Sequence, residues 1–241
     1  MELFCDFHIH TSLSPCSEDD MTPGNIVGMA KLKGLDMIAI TDHQSCGNVA
    51  SAMKIGKEYN VIVIPGMELE TAEEIHLVCL FPTLEKALTF ESIVKKRMPE
   101  ITNREDIFGE QWLYDENDVR ISKVKNLLLV PSSISYAEAF SIVDELEGIC
   151  YPAHVDRESY SILSSFGLIP LEYKYHTLEI SYNCNKLKFL SQYPQLSNYN
   201  LIQSSDAHSL SAILEPGMMV EVAQFIKDEN CISLIIKALR Q

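Results

Sequence analysis

The feature that most constrains the fold is an alternation of short apolar runs with segments of helical pattern. The runs are rich in Ile, Val and Leu and are mostly five to seven residues long, as buried strands are. Helical segments separate several of them, and this alternation predicts an α/β protein with a largely parallel sheet or barrel. The runs lie at 3–8, 35–41, 61–65, 75–81, 127–131, 148–153, 178–182 and 200–204.

Residues typical of helix ends mark several of the helices. Thr22 is the predicted N-cap of a helix that has Pro23 at its first position. Ser135 and Glu138 form the Ser-x-x-Glu pattern of a capping box, and Gly148 follows that helix. Further helices are predicted at about 48–58, 84–98, 187–192 and 232–239.

Length and charge limit the classes of protein and partner. A chain of 241 residues suits a single domain, and (β/α) barrels often have about this size. With 34 acidic and 19 basic residues, the net charge of −15 repels the phosphates of a long nucleic acid. The start does not resemble a signal peptide, and no apolar run approaches the roughly 18 residues of a membrane span. The seven Cys form no CxxC pair, which fits a reducing compartment better than a disulfide scaffold. Together these features predict a soluble, cytoplasmic protein.

The segment 99–126 interrupts this pattern, because it is the least regular and most charged part of the chain. It contains the single tryptophan, Trp112. We interpret it as a surface excursion or small hairpin inserted into a domain that spans 1–241. The alternative is a lid over the functional site.

Six of the seven histidines share one placement, within or just after an apolar run. A single histidine near a strand end is more often structural than a ligand. However, the C-terminal ends of parallel strands collect on one face, and six imidazoles gathered there indicate a metal site. The six are His8, His10, His43, His76, His154 and His208, whereas His176 lacks this setting.

Spacing supports the metal interpretation. His8 and His10 lie two residues apart in a strand, so both side chains point to the same face and can chelate one ion. Asp6 shares that face and is a candidate to accept the outer N–H of a ligand histidine. Glu68 is the first acidic residue after the run 61–65, and its carboxylate can bridge two cations. Asp206 lies two residues before His208 and is a further candidate ligand, whereas Asp42 is a candidate to orient His43.

An ordered set of motifs carries a resemblance to a known family. They are His8-Ile9-His10-Thr11, Thr41-Asp42-His43, Gly66-Met67-Glu68, Ile75-His76, Ala153-His154 and Ser205-Asp206-Ala207-His208. In this order they resemble the PHP family, the polymerase and histidinol phosphatase superfamily of metal-dependent phosphoesterases. The resemblance implies a distorted (β/α)7 barrel with two or three divalent ions at the C-terminal rim of the strands.

The resemblance also implies a ligand set for each ion. The first would take His8, His10, Glu68 and Asp206. The second would share Glu68 and add His76 and His154. The third would take His43 and His208 together with a residue of the loop after His10.

That loop departs from the family pattern, in which the residue is usually His or Asp. Here Cys16 stands six residues beyond His10, and a thiolate would favour zinc or iron. Glu18 or Asp19 could serve instead, or the third site could be weak or empty. We expect two or three ions of zinc, iron or manganese.

The implied reaction is hydrolysis of a phosphoester by hydroxide generated at the clustered cations. Glu68 and Asp206 would take part as metal ligands. Arg157, three residues after His154, is a candidate to bind the phosphate, with a surface salt bridge as the alternative. His176 is a candidate proton donor to the leaving oxygen, with a structural role as the alternative. The net charge favours a small phosphomonoester or nucleotide as substrate.

Two other functions are compatible with parts of the pattern. An amidohydrolase also uses an HxH motif after its first strand and an Asp after its last. It would normally bring a metal-bridging Lys, whereas the bridging candidate here is Glu68. The second is a metal-binding barrel kept for regulation rather than catalysis. The oligomeric state is left open.

Overall fold

A computed structural model describes residues 2–170, 176–217, 219–221 and 231–240. The strands are β1 (Glu2–Ile9), β2 (Met37–Ile40), β3 (Ile62–Glu70), β4 (His76–Leu80), β5 (Trp112–Tyr114), β6 (Arg120–Lys123), β7 (Ile149–Pro152), β8 (Thr177–Ser181), β9 (Asn200–Ser204) and β10 (Met219–Glu221). The helices are α1 (Pro23–Leu32), α2 (Val49–Tyr59), α3 (Leu84–Lys95), α4 (Glu105–Phe108), α5 (Tyr136–Glu145), α6 (Ile162–Phe166), α7 (Lys186–Gln192) and α8 (Cys231–Leu239), with short 3-10 helices at Pro194–Asn198 and Leu210–Ala212.

The main sheet has the strand order β10-β1-β2-β3-β4-β7, and β8 and β9 form a separate parallel pair. Backbone hydrogen bonds connect that pair to the main sheet on both sides. His10 N donates to Ala207 O beyond β9 (3.0 Å), and Val155 N beyond β7 donates to Glu179 O in β8 (2.8 Å). The sheet is therefore curled, and the fold is a mixed α/β fold with a half-barrel sheet.

The sheet is not as parallel as the sequence predicts. β1, β2 and β3 are parallel, but β4 runs antiparallel to both of its neighbours, β3 and β7. The physical reason is the short link between β3 and β4, where Thr71 N donates to Ile75 O across a turn. A parallel crossover needs about a dozen residues or more, so this link permits only an antiparallel return.

Helix ends follow the residues that predict them. Thr22 caps α1 by accepting a hydrogen bond from Asn25 N, with Pro23 at the first position. Ser135 caps α5 by accepting from Glu138 N. The carboxylate of Glu138 does not close the capping box and instead receives two hydrogen bonds from Arg97.

The predicted strand at 127–131 is wrong, because that run is irregular chain. Leu127 and Leu128 are buried, as their apolar character requires. Their backbone groups are satisfied without a strand: Leu127 N donates to Ile101 O and Leu128 N donates to the Gln111 side chain. Hydrophobicity alone therefore located the burial correctly but not the backbone conformation.

Within 99–126, β5 and β6 form an antiparallel hairpin that is tied to the loop following β1. Trp112 N donates to Ser12 O, and the Ser12 hydroxyl donates to Tyr114 Oη (3.0 Å). The buried Asn48 donates to Trp112 O and accepts from Tyr114 N. The hairpin therefore braces the loop that contains Cys16.

Apolar side chains fill the space between the sheet and its helices, including Ile26 and Val27 of α1 and Phe90 of α3. Within the described residues, every helix is too short or too polar to cross a lipid bilayer.

Candidate metal centre

Eight of the predicted ligands converge at one end of the curled sheet. They come from the ends of parallel strands and the turns that follow, except that His76 is the first residue of β4. Since β4 is antiparallel, its start lies at the same end as the C-termini of β1, β2 and β3. The converging side chains are His8, His10, His43, Glu68, His76, His154, Asp206 and His208.

The carboxylate of Glu68 is at the middle of this group and is almost completely buried. Its Oε1 lies 2.9 Å from His76 Nδ1 and 3.2 Å from His154 Nε2. Its Oε2 lies 3.0 Å from His43 Nδ1 and 3.3 Å from His10 Nε2. Each oxygen therefore faces different imidazoles, which is the geometry of a carboxylate able to bridge two cations.

Three sets of donor atoms are compact enough to hold one ion each. They are His8, His10, Glu68 and Asp206; His43, Glu68 and His76; and His10, His43 and His208. The first set agrees with the set implied for the first ion. The second contains His43 where the resemblance places His154, and the third contains His10 where it places Cys16.

Glu179 is a residue of this centre that the sequence analysis missed. Its Oε1 lies 2.9 Å from His8 Nδ1 and also accepts a hydrogen bond from His154 N. This contact orients His8 with Nε2 towards the centre and raises the basicity of its imidazole. The signal was a single Glu inside the apolar run 178–182.

Asp6, the sequence candidate for that role, does something else. Its carboxylate is fully buried and accepts from Ser205 N and Leu214 N. It therefore stabilises the turn that carries Asp206, and the expected contact with a histidine ring is wrong.

His10 is oriented through a hydroxyl. His10 Nδ1 lies 3.0 Å from Ser14 Oγ, which donates to Asp42 Oδ1 (2.7 Å) and accepts from His43 N. Asp42 also accepts from Thr11 N and Oγ1. Asp42 thus positions the backbone of His43 through Ser14, in line with its predicted orienting role. The contact between Ser14 and His10 Nδ1 leaves His10 Nε2 facing the centre.

Charge separates the ligands into two groups. Burial lowers the pKa of His43 to about 3 and that of His208 to about 4. Burial also lowers the pKa of His10, but the adjacent carboxylates of Asp206 and Glu68 outweigh it and raise the pKa to about 9. Burial raises the pKa of Glu68, yet the surrounding histidines, His76 first, hold it well below its usual range. The centre thus combines ionised carboxylates with neutral and readily charged imidazoles.

The donor set fits divalent cations. Glu68 Oε2 and Asp206 Oδ1 are buried and make no hydrogen bond of good geometry, although imidazole nitrogens lie 3.0–3.3 Å away, which is costly for ionised oxygens. Neutral imidazoles and carboxylates are the forms in which these side chains bind zinc, iron and manganese. A cation beside Glu68 and Asp206 would supply the missing partner for both oxygens.

Two other predicted residues lie at the edge of the centre. Arg157 Nη1 is 2.6 Å from Asp206 Oδ2, and the Arg157 side chain is 45% exposed. Cys16 is exposed and belongs to none of the three donor sets in the described residues. Desolvation of the thiol by the surrounding protein atoms, followed by the negative charge of Glu68, raises the pKa of Cys16 to about 12. The thiol is therefore close enough to interact electrostatically with Glu68, but it belongs to none of the three donor sets.

The structure does not bring His176 to the centre. His176 immediately precedes β8, and it is exposed with its ring 5.8 Å from the ring of Tyr199. Since parallel strands end at the metal centre, the start of β8 is at the far end of the sheet. His176 is therefore not positioned to protonate a leaving group at the centre.

Comparison with known families decides the relationship. Residues 6–196 match the PHP domain family. The chain belongs to the PHP domain family. The matched range covers the candidate ligands from His8 to His154, whereas the candidates Asp206 and His208 lie beyond it.

Individual proteins resemble the chain only at low sequence identity or over part of their length. The chain is 35% identical over 102 residues to the uncharacterized protein MJ1587 of Methanocaldococcus jannaschii, a match that covers 38% of this chain and 58% of that protein. The lesion-specific endonuclease PfuEndoQ from Pyrococcus furiosus has a similar fold, with a TM-score of 0.63, 20% identity, and coverage of 99% of this chain and 56% of that one. A structure titled as a putative metal-dependent phosphoesterase, from Bifidobacterium adolescentis, gives a TM-score of 0.57 at 16% identity and covers 97% and 96% of the two chains. The chain thus spans little more than half the length of MJ1587 and of PfuEndoQ.

Proposed function

We propose that the protein is a metal-dependent phosphoesterase. The observation that carries this proposal is the buried Glu68 carboxylate, whose two oxygens face the imidazoles of different histidines at 2.9–3.3 Å. Membership of the PHP family, and the similar fold of a protein described as a putative metal-dependent phosphoesterase, support the same proposal.

Two or three divalent ions, of zinc, iron or manganese, would be held by this centre. The first site would use His8, His10, Glu68 and Asp206. A second would use Glu68 and His76 with His43 or His154. A third would use His43 and His208 with His10, with Cys16, Glu18 and Asp19 as alternatives.

The ions would supply Lewis acidity towards a phosphoryl group and would acidify water. The chain's own residues do the remaining work. Glu179 and Ser14 fix the rings of His8 and His10, so that the same nitrogen of each faces the centre. Arg157 is held against Asp206 with its guanidinium partly exposed, where it can donate hydrogen bonds to a phosphoryl oxygen. Burial excludes water from Glu68 and strengthens these electrostatic interactions.

The proposed substrate is a small phosphomonoester or nucleotide. The net charge of −15 disfavours a long polyanion unless basic residues are concentrated near the centre. One structural neighbour is a lesion-specific endonuclease, so oligonucleotides belong in the test. We further propose that β8 and β9 complete a seven-stranded barrel around the centre.

A substrate screen tests the proposal. The purified chain would be loaded separately with zinc, manganese or iron and assayed against small phosphomonoesters, nucleotides and short oligonucleotides. We expect hydrolysis of a small phosphoester, its loss in Glu68→Gln, and its retention in Glu145→Gln, which changes an exposed residue of α5. Absence of phosphate release with every metal, or full activity in Glu68→Gln, would contradict the proposal.

A further inference from the structure

The loop between β7 and α6 brings three different side chains to the mouth of the metal centre. It includes the candidate ligand His154 and Arg157, which contacts Asp206. Tyr160 follows three residues later and was not singled out by the sequence. The three residues therefore lie within a single segment of seven residues, 154–160.

Tyr160 presents an aromatic surface beside the ions' ligands. Its ring is stacked on the ring of His76, with centroids 4.9 Å apart and planes inclined by 27°. The residue is 49% exposed, so half of a large aromatic side chain is left to solvent at the opening. Among the described residues, His76 is the one aromatic ring against which Tyr160 packs.

The backbone holds this ring in a defined place. Tyr160 has a φ of +53°, a left-handed conformation that bulky residues seldom adopt. Its carbonyl accepts a hydrogen bond from His76 N (2.9 Å), which joins the loop to the start of β4. The next residue, Ser161, caps α6 and donates to Arg157 O. A conformation that is costly in isolation is thus maintained by contacts on both sides.

We propose that Tyr160 is a stacking platform for a planar group of the substrate, and that the substrate class is therefore a nucleotide rather than an aliphatic phosphomonoester. This inference rests on the proposed phosphoesterase function. A phosphoryl group held by Arg157 and by ions bound at Glu68 would leave the base of a nucleotide close to Tyr160, whose ring is separated from Glu68 by the ring of His76. Stacking on an aromatic ring tolerates any base, so the platform selects for a base without selecting which base.

The contribution of this stacking to binding can be measured. Stacking of a base on an aromatic side chain is worth about 1–3 kcal/mol, which corresponds to roughly 5- to 150-fold in binding. Arg157 is expected to act on the phosphoryl group and so to affect all phosphoesters equally. The two residues therefore make separable predictions for substrates with and without a base.

The experiment compares adenosine 5′-monophosphate with ribose 5-phosphate, which has the same sugar and phosphate but no base. The variants are Tyr160→Phe, which keeps a ring, and Tyr160→Asn, which removes it while suiting a positive φ. Tyr59→Ala is the matched control, because Tyr59 is 47% exposed at the end of α2 and far from the centre. Binding of adenosine, which has no phosphate for the ions, is measured by equilibrium dialysis in each variant. Metal content per chain verifies that His76 is undisturbed.

We expect Tyr160→Asn to lower kcat/KM for adenosine 5′-monophosphate about tenfold or more, to change that for ribose 5-phosphate by less than about twofold, and to abolish adenosine binding. Tyr160→Phe and Tyr59→Ala should resemble the unaltered protein, and Arg157→Met should lower activity on both phosphates by similar factors. Equal losses on both phosphates in Tyr160→Asn, or adenosine binding that survives it, would overturn the platform while leaving the phosphoesterase function intact. Adenosine binding that depends on Tyr160, in a chain that hydrolyses neither phosphate, would support the platform and contradict the phosphoesterase function.

Discussion

Replacing Glu179 by Gln tests how the chain prepares its ligands. Glu179 Oε1 faces His8 Nδ1 at 2.9 Å and accepts from His154 N at 3.2 Å, and the side chain is 1% exposed. Glutamine can retain both contacts through its carbonyl oxygen, so the shape of the site is preserved. What is lost is the negative charge behind His8, which strengthens the imidazole as a ligand.

The size of the effect follows from two terms. A charge-assisted hydrogen bond is worth about 1.5–3 kcal/mol, against about 0.5–1.5 kcal/mol for a neutral one. The difference of about 1–1.5 kcal/mol predicts a loss of metal affinity of about 5- to 12-fold, near the lower end of the roughly 10- to 100-fold known for residues that orient metal-bound histidines. Burial is the largest influence on the pKa of His8 and lowers it. The charge on Glu179 is the next largest, and with the other carboxylates it raises the pKa well above its usual value. The variant should therefore show weaker proton competition, and its metal affinity should depend less on pH between about 6 and 8.

The assay is competition for zinc with a chromophoric chelator at several pH values, with thermal unfolding of the metal-free protein as a measure of folding. Glu145→Gln is the control, because it makes the same chemical change at an exposed position. A dissociation constant within about twofold of the unaltered protein, with the same dependence on pH, would refute the role given to Glu179.

Three further predictions concern the surroundings of the centre. Cys16→Ala should keep the metal content per chain unchanged, because Cys16 lies outside the three donor sets, and loss of one equivalent measured by mass spectrometry would place it among the ligands. Asn48→Ala should lower the free energy of unfolding, measured with urea, by about 2–4 kcal/mol. The reason is that Asn48 is fully buried and forms hydrogen bonds with Thr11, Trp112 and Tyr114. An effect below about 0.5 kcal/mol would contradict its bracing role. In the metal-free protein, the raised pKa of His10 stabilises the fold below pH 6.5, and this contribution is lost as pH rises towards 9. Metal binding needs the neutral ring, so the gain in Tm on adding zinc should grow between pH 6.5 and 9, and a constant or shrinking gain would show that His10 does not titrate as described.

The sequence predicted which side chains converge better than it predicted the arrangement around them. The spacing of His8 and His10 and the position of Glu68 after an apolar run follow from strand alternation, which is a local property. Which histidines share an ion is not local. His43 and His10 enter different sets from those implied because loops after two strands bring their rings together in space.

The residues that support the ligands were harder to predict for the same reason. Glu179 is separated from His8 by 171 residues, and only the folded sheet brings the two together. Asp6 lies near His8 in sequence, but its oxygens are taken by backbone N–H groups of the turn after β9. The irregular run 127–131 shows a similar limit, since Gln111 replaces a neighbouring strand as its hydrogen-bond partner.

The central claim is that the Glu68 carboxylate bridges ions in a centre of more than one metal. The most direct test is the metal content per chain, measured by mass spectrometry after loading and desalting, for the unaltered protein and for Glu68→Gln. The account predicts at least two equivalents per chain in the unaltered protein, because Glu68 belongs to two of the three donor sets, and a marked loss in Glu68→Gln. Fewer than one equivalent in the unaltered protein, or an unchanged content in Glu68→Gln, would contradict it.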